Sequence, residues 1–472
     1  MTTPPPSAGP TTFSIDAAVS AAEPAAGRAQ DRAQERKERR EPDMSEATET
    51  TPALEDIRLF DIPTLIQPYQ AYKRLRDDRP VYHVPEMNIH VVTRYDLVRE
   101  AIRDTQTYSS RFDGFLQTSQ QLAFQSAPPE VQAELIRINE QMIPIPPTML
   151  TLDEPEHTKY RSLVSQLFTG SQIKQSEPHV RNVIEEAAER FVRSGNPDFM
   201  EGFAFPVPLR IISDRLGIPE EDRPFFYDAA TAAAAALRLS PLPPEEMVRR
   251  AQLAVDLQKL LVRLVEARRV EPRDDMISIL ANSKLEDENR HLTHGEALSI
   301  LNQFLVAGHE TTTSTFGWGM LLLCRNPQLQ DEIRGDAKLV RTFVEEALRL
   351  EAPVQGLPRL VTRDTELGGY PLKAGEMVML RYGAANRDER QFENPDEVDV
   401  RREKAGMQLA FGSGVHHCIG APLARQELNL GFPALLERMS NIRLSPDHGE
   451  PEAEPSFILR NLPHLYIAFD RR

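Results

Sequence analysis

Between Leu54 and Phe469 the chain repeats apolar residues at helical spacing over long stretches, while strict alternation is confined to short pieces. The 3.6-residue period predicts helices over 129–142, 177–194, 219–238, 243–269, 294–325 and 336–350. Strand-type patterns are limited to 80–92, 358–380 and 455–470. The fold class is therefore mainly α with small β-sheets. Nothing alternates as βαβ, which argues against a dinucleotide-binding sheet. No internal repeat or Gly/Ser-rich linker divides the globular part, so residues 54–472 are expected to form a single large domain. Residues 1–53 differ: a Pro, Ala, Thr and Ser-rich opening leads into the charged run "RAQDRAQERKERREPD". Such a segment has almost nothing to bury and is expected to be a disordered extension. Met44 precedes "SEATETTPALEDI", which reads as an ordinary protein start, so natural translation is expected to begin there.

Composition narrows the function classes. The chain has 472 residues and a formal net charge of −16, which disfavours nucleic acid because phosphate neutralisation needs a dense Lys/Arg surface. The longest bland run, Ala232 to Leu237, is far short of a bilayer span, so a cytoplasmic protein without a membrane segment is expected. Two cysteines, Cys324 and Cys418, cannot build a disulfide framework. The charge is uneven, however. Arg401, Arg402, Lys404 and Arg425 face only Glu403 across residues 401–425, a local balance of +3.

That basic stretch contains "FGSGVHHCIG", residues 411–420. Zinc is a poor reading, because consecutive His416, His417 and Cys418 diverge and cannot converge on one small ion. A catalytic thiol activated by His416 and a merely packed thiol remain as alternatives. Against packing stand three glycines, which cost entropy unless positive φ or close approach requires them. The loop runs into "APLARQELNLGFPALLERM", a good helix, so Cys418 lies at a helix N-terminus whose dipole favours a thiolate. An ionised sulfur that must approach a flat partner fits this setting best, and an axial haem ligand is such a case.

The same ten residues match F-G-x-G-x-H-x-C-x-G at every fixed position, and the chain from Leu54 to Phe469 closely resembles the cytochrome P450 family. Three further patterns carry the resemblance. "AGHETT" spans Ala307 to Thr312 in a long helical segment, where a mid-helix Gly costs roughly 1 kcal/mol against Ala. Ala307, Gly308 and Thr311 give a small-residue face that can press on a planar ring. The Thr311 hydroxyl can bond the carbonyl four residues back and locally open the helix. The resemblance implies that Thr311 and Glu310 guide protons to bound oxygen. Glu346-Ala347-Leu348-Arg349 resembles the family's E-x-x-R, and with Arg402 from "NPDEVDVRRE" it implies a buried structural triad. Finally, His157 and Arg161 in "DEPEHTKYRSLV", Arg359 in "PVQGLPRLVTRD", and His416 imply four cations for the two haem propionates. Phe411 and Gly420 complete the cofactor loop. Glu389 stands where the family often has Pro, and Val398 where Phe is usual; both are structural positions.

The resemblance implies the cytochrome P450 fold and a haem-thiolate monooxygenase holding haem b (iron protoporphyrin IX) through Cys418. It also implies O2 as co-substrate, and electrons from an external ferredoxin and its NAD(P)H-dependent reductase, since the chain carries no flavin or iron–sulfur pattern. An acidic ferredoxin is expected to dock on the +3 stretch, and the protein to act as a monomer. Pocket positions implied in the same way are Gln303, Val306, Val354, Gln355 and Ile458, a mostly apolar set suited to a small hydrophobic substrate. The alternatives are a peroxygenase or isomerase that needs no electron partner, and a haem-based gas sensor or carrier. The Glu310–Thr311 pair argues against the first. The lack of an output module after Phe469 argues against a sensor.

Overall fold

The computed structural model describes residues 54–472 except 113, 115–120, 122–123, 236–241 and 286–287. The expectations for residues 1–53 and for the Met44 start lie outside the described residues. The helical period is realised nearly as read. The predicted segments appear as α3 (Pro129–Asn139), α5 (Gly170–Ser194), α7 (Arg223–Ala235), α8 (Pro244–Val270), α9 (His294–Arg325) and α10 (Leu339–Leu350). Shorter helices escaped the periodicity: α1 (Tyr69–Asp78), α2 (Tyr95–Arg103), α4 (Glu156–Ser165) and α6 (Pro206–Leu216). Among the described residues, no helix is long and apolar enough to cross a membrane.

The axis of the molecule is α9. Thr293 caps it, its hydroxyl accepting from the Glu296 N–H while the Glu296 carboxylate accepts from the Thr293 N–H at 2.8 Å. This reciprocal cap fixes the helix start found in the sequence. Glu296 also takes hydrogen bonds from Arg290 (2.7 and 2.9 Å) and from the Tyr160 hydroxyl of α4 (2.8 Å). Burial of Glu296 acts to raise its pKa, but these hydrogen bonds outweigh it and hold the carboxyl down at about 2.

The final long helix, α11 (Ala421–Arg438), crosses α9 through aromatic contacts. Phe432 packs on Phe316 of α9, ring centroids 5.4 Å apart, and edge-on to Phe343 of α10 at 5.0 Å. All three rings are fully buried, each contributing on the order of 2–3 kcal/mol of apolar burial. These contacts hold the helix that follows Cys418 against the centre of the core.

A five-stranded sheet flanks the helices in the order β1-β2-β5-β4-β3, formed by β1 (Val81–Val84), β2 (Ile89–Val92), β3 (Tyr108–Ser109), β4 (Gly356–Val361) and β5 (Met377–Arg381). Only β2 and β5 pair in parallel. The expected strand pattern at 455–470 is realised late, in a hairpin between 439–444 and 467–471. An isolated bridge of Leu459 to Val354 supplies the rest. Glu389 is used by salt bridges to Lys73 (3.5 Å) and Arg390 (3.8 Å), and Val398 packs partly buried against the main core.

Candidate active site

From Gly295 to Leu321 every residue of α9 is buried except Asn302, Gln303, Val306, Ala307, Gly308 and Thr311. Gln303, Ala307 and Thr311 are spaced four apart, so they form one accessible strip on an otherwise enclosed helix. Ala307 is the most open of them, in the class of surface residues. The Thr311 Oγ1 donates to the Ala307 carbonyl at 2.9 Å, yet the helix remains α throughout, so the expected local opening is absent.

Two expectations for this helix need correcting. A Cβ on Gly308 would lie 2.9 Å from Ile212 Cγ1, so its missing side chain makes room for α6 rather than for a planar ring. Glu310 is buried and lies off the strip, because successive helical residues point about 100° apart. Its Oε1 accepts from the Asn461 amide, and its Oε2 is 3.8 Å from His309 Nε2. The structure thus holds Glu310 behind the strip that carries Thr311. Asn461 was missed because it lies 151 residues away in an irregular segment.

The cysteine loop is shaped by two glycines at positive φ, Gly412 (66°) and Gly414 (69°), a region closed to most side chains. Gly420 has an ordinary φ of −79° and caps α11. The Cys418 N–H donates to the Phe411 carbonyl at 2.9 Å, closing the loop, and Arg425 stacks over the Phe411 ring at 4.5 Å. Burial pushes the Cys418 thiol up, while the Gly420 and Ala421 N–H groups and then Arg161 and Arg425 pull it down. Burial wins. A cation held at the sulfur would favour its ionised form. Cys324 is buried in α9, its thiol pushed up to about 12 by burial.

Beside this loop, His157, Arg161, Arg359 and His416 come together. The His157 and His416 rings lie 4.3 Å apart, and both nitrogens of His157 are buried without a hydrogen-bond partner. His416 Nε2 and Arg359 Nε are orphaned in the same way. Arg161 donates to the His417 carbonyl, and Arg359 to its neighbour Pro358 (2.8 Å) and to the Tyr382 hydroxyl. Among the described residues no carboxylate pairs with any of the four. Burial, Arg359, His157 and Arg161 drive His416 down to about 3, and burial and Arg161 also lower His157. The expected four cations are therefore two guanidinium cations and two neutral imidazoles able to donate. Buried donors without acceptors are costly, and a pair of carboxylates answers that deficit.

The strip and the loop are joined through Thr148 and Met149. Gln303 Nε2 donates to Thr148 Oγ1 at 2.6 Å, and the Met149 carbonyl accepts from His416. Leu150, next in the chain, is 42% exposed and was not anticipated as a site residue. Of the other expected pocket residues, Val306 is half-buried on the strip, Val354 bridges Leu459, and the buried Ile458 carbonyl accepts from the Gln355 N–H at 2.7 Å. Gln355 does not offer its amide to a ligand. It is buried, donates to the Ala352 carbonyl at 2.8 Å, and packs so closely on Gly383 that a Cβ there would lie 2.3 Å from its Oε1.

The E-x-x-R helix carries a buried ion pair. Arg349 and Glu346 are fully buried and doubly bonded (2.6 and 2.9 Å), and Arg402 Nε reaches Glu346 at 3.0 Å. Arg349 also caps the carbonyls of Asn386 (3.0 Å) and Glu397 (2.9 Å), bracing the chain that leads to the cysteine loop. The basic stretch around that loop is less positive than its sequence suggests. Arg401 pairs with Glu332, Arg402 with Glu346 and Arg425 with Glu345, and Lys404 has no ion-pair partner among the described residues.

Comparison with known proteins agrees with this geometry. The cytochrome P450 family model matches residues 232–468. The chain belongs to the cytochrome P450 family. It is 31% identical over 426 residues to cytochrome P450 107B1 of Saccharopolyspora erythraea, covering 89% of this chain and 99% of that one. It is 32% identical over 432 residues to the cytochrome P450 monooxygenase PikC of Streptomyces venezuelae, covering 90% and 97%. The structure of the P450 CYP109Q5 from Chondromyces apiculatus superposes with a TM-score of 0.75 at 29% identity, covering 89% of this chain and all of the other. The protein is therefore a P450 monooxygenase that uses haem b with an axial cysteine thiolate.

Proposed function

We propose that this P450 inserts one oxygen atom of O2 into a C–H bond of a hydrophobic substrate, with Cys418 as the axial thiolate. The observation that carries the assignment is the cluster of unpaired buried donors at His157, Arg359 and His416, the last of them two residues before Cys418 in its loop. Haem, when bound, supplies the oxygen activation and the C–H oxidation. The residues around it do the rest. Arg161 and Arg359 hold the propionates as charged donors, and His157 and His416 add neutral N–H groups. Phe411 and Gly420 on the cysteine loop and Ala307 on the strip would shape the space for the flat ring of the haem. Gly308 lets α6 close against α9 at that level.

Thr311 governs protons at the strip. Its single hydroxyl proton is committed to the Ala307 carbonyl, so Oγ1 presents lone pairs to the site and holds a water or an acid O–H there. Glu310 sits behind the strip, its Oε1 held by the Asn461 amide, one residue from Thr311 in the chain. Val306, Val354 and Ile458 supply apolar walls that place the substrate and exclude water.

Electrons arrive from an external ferredoxin and its NAD(P)H-dependent reductase, the protein acting as a cytoplasmic monomer. The ferredoxin docks on the face of the cysteine loop. Because the arginines there are largely neutralised by Glu332, Glu345 and Glu346, its reduction rate falls only modestly as salt rises. Stopped-flow reduction over a salt series tests this, and a steep dependence contradicts it.

The deciding experiment is the absorption spectrum of the purified ferric protein, before and after adding steroids, terpenes, fatty acids and aromatic acids. A low-spin thiolate spectrum that one class shifts to high spin supports the reading and names the substrate class. Protein that binds no haem overturns it.

A further inference from the structure

The accessible strip is not uniformly apolar. At its N-terminal end Gln303 is locked in place by two buried hydroxyls. Its Nε2 lies 2.6 Å from Thr148 Oγ1 and 3.4 Å from Ser299 Oγ, and these oxygens are 2.9 Å from each other. Thr148 is fully buried and Ser299 is 4% exposed, so neither turns away to solvent. An amide has two N–H donors, and both are directed at this hydroxyl pair. The opposite end, Oε1, has no partner among the described residues and lies on the half-buried side of the strip. One residue earlier, Asn302 Oδ1 is buried and also lacks a hydrogen-bond partner. On the strip itself the Gln303 carbonyl oxygen is thus left without a donor from the described residues, whereas Asn302 projects about 100° away around the helix.

We propose that Gln303 is a fixed hydrogen-bond acceptor that selects substrates carrying a hydroxyl group remote from the oxidised carbon. The proposal rests on the haem-thiolate monooxygenase reading and names the substrate class for that site. Along α9, Ala307 lies four residues and Thr311 eight residues from Gln303, about 6 and 12 Å on the helix axis. The substrate is thus an amphipathic molecule with its hydroxyl about 6–12 Å from the carbon that is oxidised. Gln355 cannot serve in this way: its Oε1 is also without a hydrogen-bond partner, but the residue is 1% exposed and packed against Gly383, so no ligand hydroxyl reaches it. Thr148 and Ser299 act as positioning residues: they hold the amide so that its oxygen faces the ligand. A site built to hydrogen-bond a hydroxyl discriminates strongly against the analogue that lacks the donor, since its own acceptor is then left unpaired.

The test is equilibrium binding to the haem-loaded protein, read by calorimetry and by the ferric spin shift, with dodecane, dodecan-1-ol and 1-methoxydodecane. The ether keeps the oxygen and loses the donor. Dodecan-1-ol is expected to bind about ten-fold more tightly than either congener. Gln303→Leu should level the three, Thr148→Val should reduce the preference part-way, and Gln303→Glu, which still accepts, should preserve it. Equal affinity for alcohol and ether in the natural protein overturns the proposal, as does a preference that survives in Gln303→Leu. Failure of the alcohol to bind also overturns it. The resting thiolate spectrum of the same samples separates the two levels. An intact spectrum with a flat series sinks the acceptor role alone, whereas absent haem takes the monooxygenase assignment down with it.

Discussion

Glu346 and Arg349, three residues apart on α10, form a doubly hydrogen-bonded ion pair with no solvent exposure at either side chain. Desolvation lowers the Arg349 pKa from its usual value, and Glu346 works against that shift. Such a pair is expensive to break, because the surviving charge is left buried. Glu346→Gln and Arg349→Lys should each cost about 3–5 kcal/mol, measured by chemical denaturation. A loss below about 1 kcal/mol would show that the pair is not the brace described here.

The two cysteines should behave in opposite ways. Cys418→Ala is expected to lose the thiolate-type spectrum of the ferrous carbon monoxide complex. Cys324→Ala should keep it, since that thiol is buried in α9 and remains protonated. A thiolate spectrum persisting in Cys418→Ala would falsify the ligand assignment.

Thr311→Ala removes the one hydroxyl on the strip beside Ala307. Haem binding and substrate affinity should be preserved, while product formed per NAD(P)H falls about ten-fold or more and hydrogen peroxide rises. Unchanged coupling would remove Thr311 from proton control.

Arg359→Leu deletes a guanidinium that pairs with no carboxylate among the described residues. The apo-protein should be no less stable, yet haem should bind on the order of 10–100-fold more weakly, the value of a charge-assisted hydrogen bond. Haem titration of the apo-protein checks this, and undiminished affinity would assign Arg359 a purely structural role.

Glu296 makes acid stability a readout of the α9 start. Its pKa is about 2 in the folded protein against 4.5 ordinarily, so its contribution is complete above about pH 4.5 and fades as pH falls toward 2. Glu296→Gln should lower stability by up to about 3 kcal/mol at neutral pH. The gap between variant and parent should narrow through that acid window, as followed by urea denaturation. A gap independent of pH would place the effect outside the Glu296 charge.

Much of this protein was legible in the chain. The apolar period over 294–325 marked α9, and the structure shows why it starts there: Thr293 and Glu296 cap it reciprocally within its first turn. The Cys418 loop was legible too, as positive φ at Gly412 and Gly414 is a local demand. The E-x-x-R spacing also announced its own pairing, since residues three apart share a helix face. The short helices α1, α2 and α4 escaped because each has too few turns to establish a period.

What the sequence determined by itself was thus the helical frame and the family to which the chain belongs. The tertiary structure decided where those residues face and what charge they carry. Gly308 serves Ile212, Gln355 is spent on Ala352, and Glu310 is held by Asn461. Burial turns His157 and His416 into neutral donors, and distant glutamates cancel the arginines around the cysteine loop. Each of these outcomes depends on contacts across tens to hundreds of residues and on the desolvation that packing imposes. Spacing along a chain encodes neither; it fixes backbone geometry within a turn, whereas charge and hydrogen-bond pairing follow from what the folded surroundings bring within reach.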